Sequence, residues 1–289
     1  MRLFHQRLLF AHCVRIMQCM VLAVGFLVAN IVVAEPLQVT ITGDGEAKNT
    51  DPSYFFKQSL ILALDKTRAT DGDYILTHKT HGGGIARDRA MVIARAGIDV
   101  MWGSATKERE EQMQIVPVDL LKNLNNFRVL LIKKSDQKLF DPVKTLEDLK
   151  KYTVGAGEHW TDGKIMKGNG FNVVATSSYG GLFKMLAARR FDFISRGLHE
   201  IGYDTQVYKE YGLVKEDHIL LSYQPLIPYC FFVNKNNSKL ADRIERGLKI
   251  AQQDGSFDAL FYQMPSFKEG EDILKHSTRT LIPVKNTKR

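Results

Sequence analysis

The feature that most narrows what this chain can fold into is an alternation. Short apolar stretches of strand period are followed repeatedly by longer stretches of helical period. "LQVTIT" sets Leu37, Val39 and Ile41 against polar neighbours and is broken by "GDGE". "DPSYFFKQSLILALDKTRA" then opens on Asp51 and Pro52, both helix-start residues, and carries Phe56, Leu60 and Leu64 at helical spacing. "DYILTHK", "RDRAMVIARAG" and "IDVMWG" continue as strand, helix and strand. Strands alternating with helices of this length imply a parallel sheet covered on both faces.

The pattern then starts again with different content. "FRVLLIKK" is a strand, "PVKTLEDLKKY" a helix, "TVGAG" a strand, "YGGLFKMLAARR" a helix and "FDFIS" a strand, a second α/β unit over roughly residues 134–224. "IPYCFFVNKNN" adds one strand, and "SKLADRIERGLKIAQQDG" repeats Leu240, Ile244 and Leu248 before Gly255 closes the helix. A final helical pair is expected to pack back on the first unit. The expected architecture is α/β with two lobes. Lobe 1 takes residues 35–130 and 228–289, lobe 2 takes residues 131–227, and "VLLIKK" and "PYCFFVN" cross between them. Ligands of open α/β sheets sit beyond the carboxyl ends of strands, where "GDGE", "GSATKERE", "GAGEHW" and "SRGLHE" fall.

Residues 1–34 stand apart from this pattern. Arg2, Arg7 and Arg15 precede the apolar run "CMVLAVGFLVANIVVA", which ends on small residues, and cleavage near Ala34 would release an exported, periplasmic protein. The run falls short of the about 20 apolar residues of a retained anchor. Beyond it only Cys230 remains, so no disulfide can form within the mature chain and the core must supply the stability. The net charge of +8 includes the three arginines of the signal; what is left suits acidic ligands but is too spread out for a nucleic-acid footprint.

Four stretches carry a family resemblance: "GIDVMWGSATKERE" (residues 97–110), "VKTLEDLKKYTVGAG" (143–157), "LFKMLAARRFDFI" (182–194) and "LKIAQQDGSFDALFYQM" (248–264). In order and spacing they resemble bacterial periplasmic solute-binding proteins of type 2, the family 3 group serving polar amino acid importers. The resemblance runs over roughly residues 37–265. It implies a monomeric receptor that closes its lobes on a small-molecule ligand and hands it to an inner-membrane ABC permease or a sensor.

By that resemblance Arg109 holds a ligand carboxylate, with Ser104 and Thr106 donating beside it. The chemistry agrees, since a guanidinium is permanently charged and offers a carboxylate a planar fork. Thr106 also reads as the N-cap of the helix that follows, with Glu108 and Glu110 favouring its dipole. The family's aspartate after the strand matching "FDFIS" pairs with a ligand ammonium; here the stretch reads Ser195, Arg196, Gly197. Arg196 facing the cleft favours an acidic ligand or dianion, Glu200 one turn later restores a negative charge, and the two residues also have the i, i+4 spacing of a structural brace. Ser177 and Ser178 precede a helix whose free N–H groups favour an anion. Trp102 and Trp160 sit in strand-end loops where an aromatic walls a ligand. The expected ligand is a small anionic or zwitterionic solute, an amino acid or carboxylate.

Other signals carry less. "HGGG" at residues 81–84 is similar to an esterase oxyanion motif, but the chain has no G-x-S-x-G. "GAGEHW" lacks the third glycine of a dinucleotide fingerprint, so no cofactor is expected. His78 with His81, and His199 with Glu200, lack a third metal ligand at useful spacing. Cys230 reads as a small buried hydrophobe. The rival expectation is an exported lyase or dehydratase-like enzyme on the same fold, with Glu158, His159 and Glu200 as its acid and base groups.

Overall fold

The computed structural model describes residues 35–43, 48, 50–81 and 84–288. The expected signal segment, residues 1–34, lies outside the described residues, as does part of "GDGE". Twelve strands form two sheets among the described residues. The first sheet contains β1 (Leu37–Thr42), β2 (Tyr74–Lys79), β3 (Val100–Ser104), β4 (Met113–Ile115) and β11 (Tyr229–Asn234), in the order β2-β1-β3-β11-β4. Its first three strands run parallel and β11 runs antiparallel between β3 and β4. The second sheet contains β5 (Phe127–Lys133), β6 (Val154–Gly157), β7 (Val173–Thr176), β8 (Phe193–Gly197), β9 (Leu213–Lys215), β10 (Ile219–Gln224) and β12 (Thr280–Lys285). Its order is β12-β10-β5-β8-β6-β7, with β9 paired to β5. The expectation of two α/β lobes is met, and the chain alternates strand and helix as its periodicity implies.

The helices that matter here are α1 (Pro52–Lys66), α2 (Gly84–Ala94), α3 (Lys107–Gln112), α4 (Thr161–Gly168), α5 (Tyr179–Ala187), α6 (Ile201–Val207), α7 (Ser238–Gln253), α8 (Ser256–Phe261) and α9 (Pro265–His276). α1 starts where Asp51 accepts from the Ser53 N–H at 2.8 Å, with Pro52 in the first turn. It buries Phe55, Phe56, Leu60, Ala63 and Leu64 against α7, whose inward residues are Leu240, Ile244, Leu248 and Ala251. That contact is backbone-close at Gly247, where a Cβ would stand 1.9 Å from the Ala63 carbonyl oxygen. Gly255, at φ 79°, ends α7 as the sequence implies.

Three expectations about chain path need correction. "VLLIKK" and "PYCFFVN" lie in strands β5 and β11 rather than between the lobes; the crossings are residues 116–126 and 225–228. The crossings meet part of their backbone bonding on strand residues, as where the Leu120 N–H donates to the Tyr229 carbonyl at 2.8 Å, and side chains tie them together further. Asp119 accepts from the N–H groups of Leu121, Asn123 and Tyr229 at 3.2, 2.8 and 3.0 Å. Asn126 and Ile227 exchange two bonds, Nδ2 to carbonyl at 2.9 Å and N–H to Oδ1 at 3.0 Å. Second, the final helical pair returns to the first lobe only in part: α8 packs on α1 and α7, and α9 starts there with the Phe267 ring centroid 4.8 Å from that of Phe55, but α9 then packs on α6, with Gly270 set against the Leu198 carbonyl. Third, β12 belongs to the second sheet, parallel to β10, rather than to lobe 1. Ile282 and Val284 alternate inward there, and Pro283 is tolerated because the strand is an edge.

Candidate functional site

The site grows from the turn that ends β3. Thr106 caps α3 by accepting from the Arg109 N–H at 3.4 Å, and this first turn folds the Arg109 side chain back under the strand. Its Nη1 donates to the Ser104 carbonyl at 2.7 Å, and Gly103 makes room, since a Cβ there would stand 3.0 Å from the same nitrogen. Arg109 is 6 % exposed, its Nε has no partner, and it forms no ion pair among the described residues. Its neighbour Glu108 is committed to Arg89 at 2.9 Å and to Lys164 of α4 at 3.5 Å. Burial pushes the Arg109 pKa down from its ordinary value. An interior cation without a counterion is costly unless something anionic completes it.

The opposite wall is built by β8 and the turn after it. Arg196 is buried and lies 4.8 Å beneath the Trp160 ring. Its Nε donates to Asp204 at 2.5 Å and its Nη2 lies 2.9 Å from Glu200. Burial alone would lower the Arg196 pKa; Asp204 first, then Glu200, outweigh it and hold it above the ordinary arginine value. Arg128, on β5 beside β8, is also buried, lying 3.3 Å from Asp162 and 3.5 Å from Glu200. Its Nη1 donates to Asn125, whose Nδ2 in turn donates to Ser104 Oγ at 3.0 Å, so a polar chain links the two arginine centres through the crossing.

Around these cations stand Asp162, Glu200 and the neutral His199. Burial pushes His199 down to about 4, with Glu200 opposing and Arg128 and Arg196 reinforcing the shift. Burial raises Glu200, but Arg196, His199 and Arg128 together pull it down to about 2. Asp162 Oδ1 accepts from Ser195 Oγ at 3.1 Å and from the Tyr223 hydroxyl, whereas its Oδ2 is buried with no partner in the protein. Arg109, Arg128, Arg196, Asp162, His199 and Glu200 border one cavity of about 210 Å³, whose walls come from both sheets and both crossings. That is below the ~300–1,000 Å³ of drug-sized pockets and suits a small metabolite.

The charges in the cavity are segregated. On the second-sheet side Arg128 and Arg196 meet Asp162 and Glu200, with Asp204 outside the cavity behind Arg196, and on the first-sheet side Arg109 stands alone. Of the alternatives the sequence leaves open for Arg196, the pairing with Glu200 is present, and Asp204 adds a second counterion. Arg196 both borders the cavity and braces Glu200.

Of the residues singled out from sequence, Arg109, Ser104, Trp160, Arg196 and Glu200 are brought to this cavity. Thr106 is not among its lining residues and acts as the helix cap. Trp102 turns away to stack on Phe56, with centroids 5.3 Å apart, and borders a separate hollow beside Asp88. Ser177 and Ser178 line an outer chamber of about 560 Å³ with Glu158 and His159, and Ser178 spends its hydroxyl on the Gly181 N–H at 3.1 Å. Glu158 and His159 thus stand apart from Glu200. Arg128, Asp162, Tyr223, Tyr229 and Asn286 were missed. Asp162 stands two residues after Trp160 in a helix start that periodicity did not reveal, and Arg128 sits inside an apolar strand where only pairing with β8 gives it a role. Among the described residues no three His, Cys, Asp or Glu side chains gather to hold a metal.

No family model and no curated protein sequence matches this chain. Solved structures do. An amino acid ABC transporter substrate-binding protein from Streptococcus pneumoniae bound to L-arginine superposes with TM-score 0.59 at 14% identity, over 80% of this chain and 94% of that one. A histidine kinase sensor domain with similarity to periplasmic binding proteins gives 0.58 at 16% identity, over 81% and 97%. An ancestral amino acid-binding protein, a precursor of cyclohexadienyl dehydratase, gives 0.56 at 16% identity, over 78% and 95%. The fold is therefore the two-lobed fold of periplasmic binding proteins.

Proposed function

We propose that the protein is a periplasmic receptor that captures a small zwitterionic solute, an amino acid, by closing its lobes, and presents it to an inner-membrane partner. The observation that carries this reading is the segregated charge of the cavity. Arg109 offers an unpaired guanidinium from one lobe, and Asp162, with an unmet Oδ2, and Glu200 offer negative charge from the other. A molecule bearing carboxylate and ammonium meets both needs at once, whereas a dianion faces the carboxylates of the second lobe. Contacts from both lobes to one molecule are also what makes closure ligand-dependent.

The fold neighbours support amino acids as the first panel to try, because two of them are described as amino acid binders. They support two kinds of partner: an ABC importer and a histidine kinase. No turnover belongs to this reading. Titration calorimetry with the proteinogenic L-amino acids tests it, with recovery of the solute unchanged as a second readout. Arg109→Ala should weaken the binding found by about a hundredfold or more, the scale of truncating one partner of a buried charge pair. Equal affinity in that variant discards the assignment.

A further inference from the structure

After β12 the chain does not leave the molecule; it crosses back toward the first lobe. Asn169 grips the end of the strand, donating from Nδ2 to the Lys285 carbonyl at 2.7 Å and accepting from its N–H at 3.2 Å. Asn286 is 4 % exposed and borders the central cavity. Its N–H donates to the Gln224 carbonyl at 2.6 Å, and its Nδ2 to the Pro225 carbonyl at 3.2 Å, where the second crossing begins. Its Oδ1 then accepts from the Lys288 N–H at 3.1 Å. Thr287 packs over Gly168, at the end of α4. Finally the Lys288 carbonyl accepts from the Lys107 N–H at 3.1 Å, satisfying a first-turn donor of α3, the helix that carries Arg109.

We infer that residues 286–288 are a further connection between the lobes, beyond the crossings at 116–126 and 225–228 and the passage from α8 to α9, and that they form a strap that couples occupation of the cavity to closure; this rests on the receptor reading above. The strap begins in the second sheet, places a buried amide against the cavity, and ends on the helix that positions the solute's carboxylate partner. The same face holds the Lys164–Glu108 ion pair, which likewise joins α4 to α3. Separating the lobes breaks the Lys107–Lys288 bond, so that bond favours the closed arrangement. A solute that touches both Asn286 and Arg109 holds the two ends of the strap in register.

Lys107→Pro tests the latch without touching the cavity. Proline is tolerated in the first turn of a helix, and Thr106 before it is extended at φ −80° and ψ 148°, so the variant removes the N–H and little else. Asn286→Ala tests the anchor, and circular dichroism melts show that both variants fold. Small-angle scattering of the solute-free full-length protein should show more open particles for both variants, with the open-to-closed ratio raised about three- to tenfold, the scale of one net hydrogen bond. Stopped-flow release of an equimolar L-amino acid mixture should be faster by a similar factor. Equal scattering of the three proteins overturns the strap. Failure of the wild-type protein to bind the mixture, with scattering still different, overturns the receptor reading and leaves the strap standing.

Discussion

Arg109 and Asp162 illustrate how a site is marked by groups whose bonding is incomplete. Each is nearly sealed from water, and each keeps one polar atom, Nε or Oδ2, without a partner in the protein. Asp162→Asn keeps the shape and the bonds at Oδ1 while removing the charge, so it should weaken binding of a zwitterion at least about tenfold and, by leaving the buried Arg128 with Glu200 as its remaining counterion, also lower the melting temperature; calorimetry checks the affinity and a thermal melt the stability. His199 makes a pH prediction. Its pKa falls from 6.5 to about 4 on folding because it is buried, so the unfolded chain takes up a proton that the folded one refuses. The associated stability is present above pH 6.5 and is lost as pH falls toward 4. Comparing wild type with His199→Gln removes the contribution of His199 together with its pull on Glu200. The wild type should lose on the order of 3 kcal/mol relative to the variant across that window, measured by urea unfolding at each pH. A parallel dependence in both proteins would remove His199 from the account.

Elements place these residues through close approaches that only glycine permits. At Gly247 the α1–α7 contact is made by backbone, so Gly247→Ala must separate two helices of the first lobe despite alanine's ~1 kcal/mol advantage in helix propensity. A net destabilisation of about 2 kcal/mol is expected, read from chemical denaturation. At Gly157 the Trp160 ring lies where a Cβ would be, 2.4 Å from its indole nitrogen. Gly157→Ala should tilt that ring off Arg196 and weaken solute binding while leaving the fold intact, with calorimetry as the check. Helix α3 is the other decisive element. Its Thr106 cap is readable from "GSATKERE"; the return of the Arg109 side chain to the Ser104 carbonyl is not, because that depends on the glycine beneath it.

At the scale of the whole molecule, two sheets meet across a cavity and are joined by crossings that lock to each other through Asp119 and the Asn126–Ile227 pair. If the proposed solute bridges the lobes, saturating it at a hundred times its Kd should stabilise the protein by about 2.7 kcal/mol and raise its melting temperature accordingly. Scattering should show compaction under the same conditions. A rise in melting temperature without compaction would mean that the solute binds one lobe alone.

What the sequence determined by itself follows from local physics. The alternation of strand and helix periods, the capped start of α1 and the glycine that ends α7 each depend on neighbours a few residues apart, and they were enough for a two-lobed α/β fold, while Arg109 became a candidate through the family resemblance of the stretch that holds it. What only the tertiary structure decided depends on distant pairing. Arg196 is neutralised by Asp204, Arg128 meets Asp162 across 34 positions of sequence, and β12 enters the second sheet, closing the path that brings Asn286 to the cavity. Charge in a protein interior acts through space, so the balance that sets the character of this cavity could not be read along the chain.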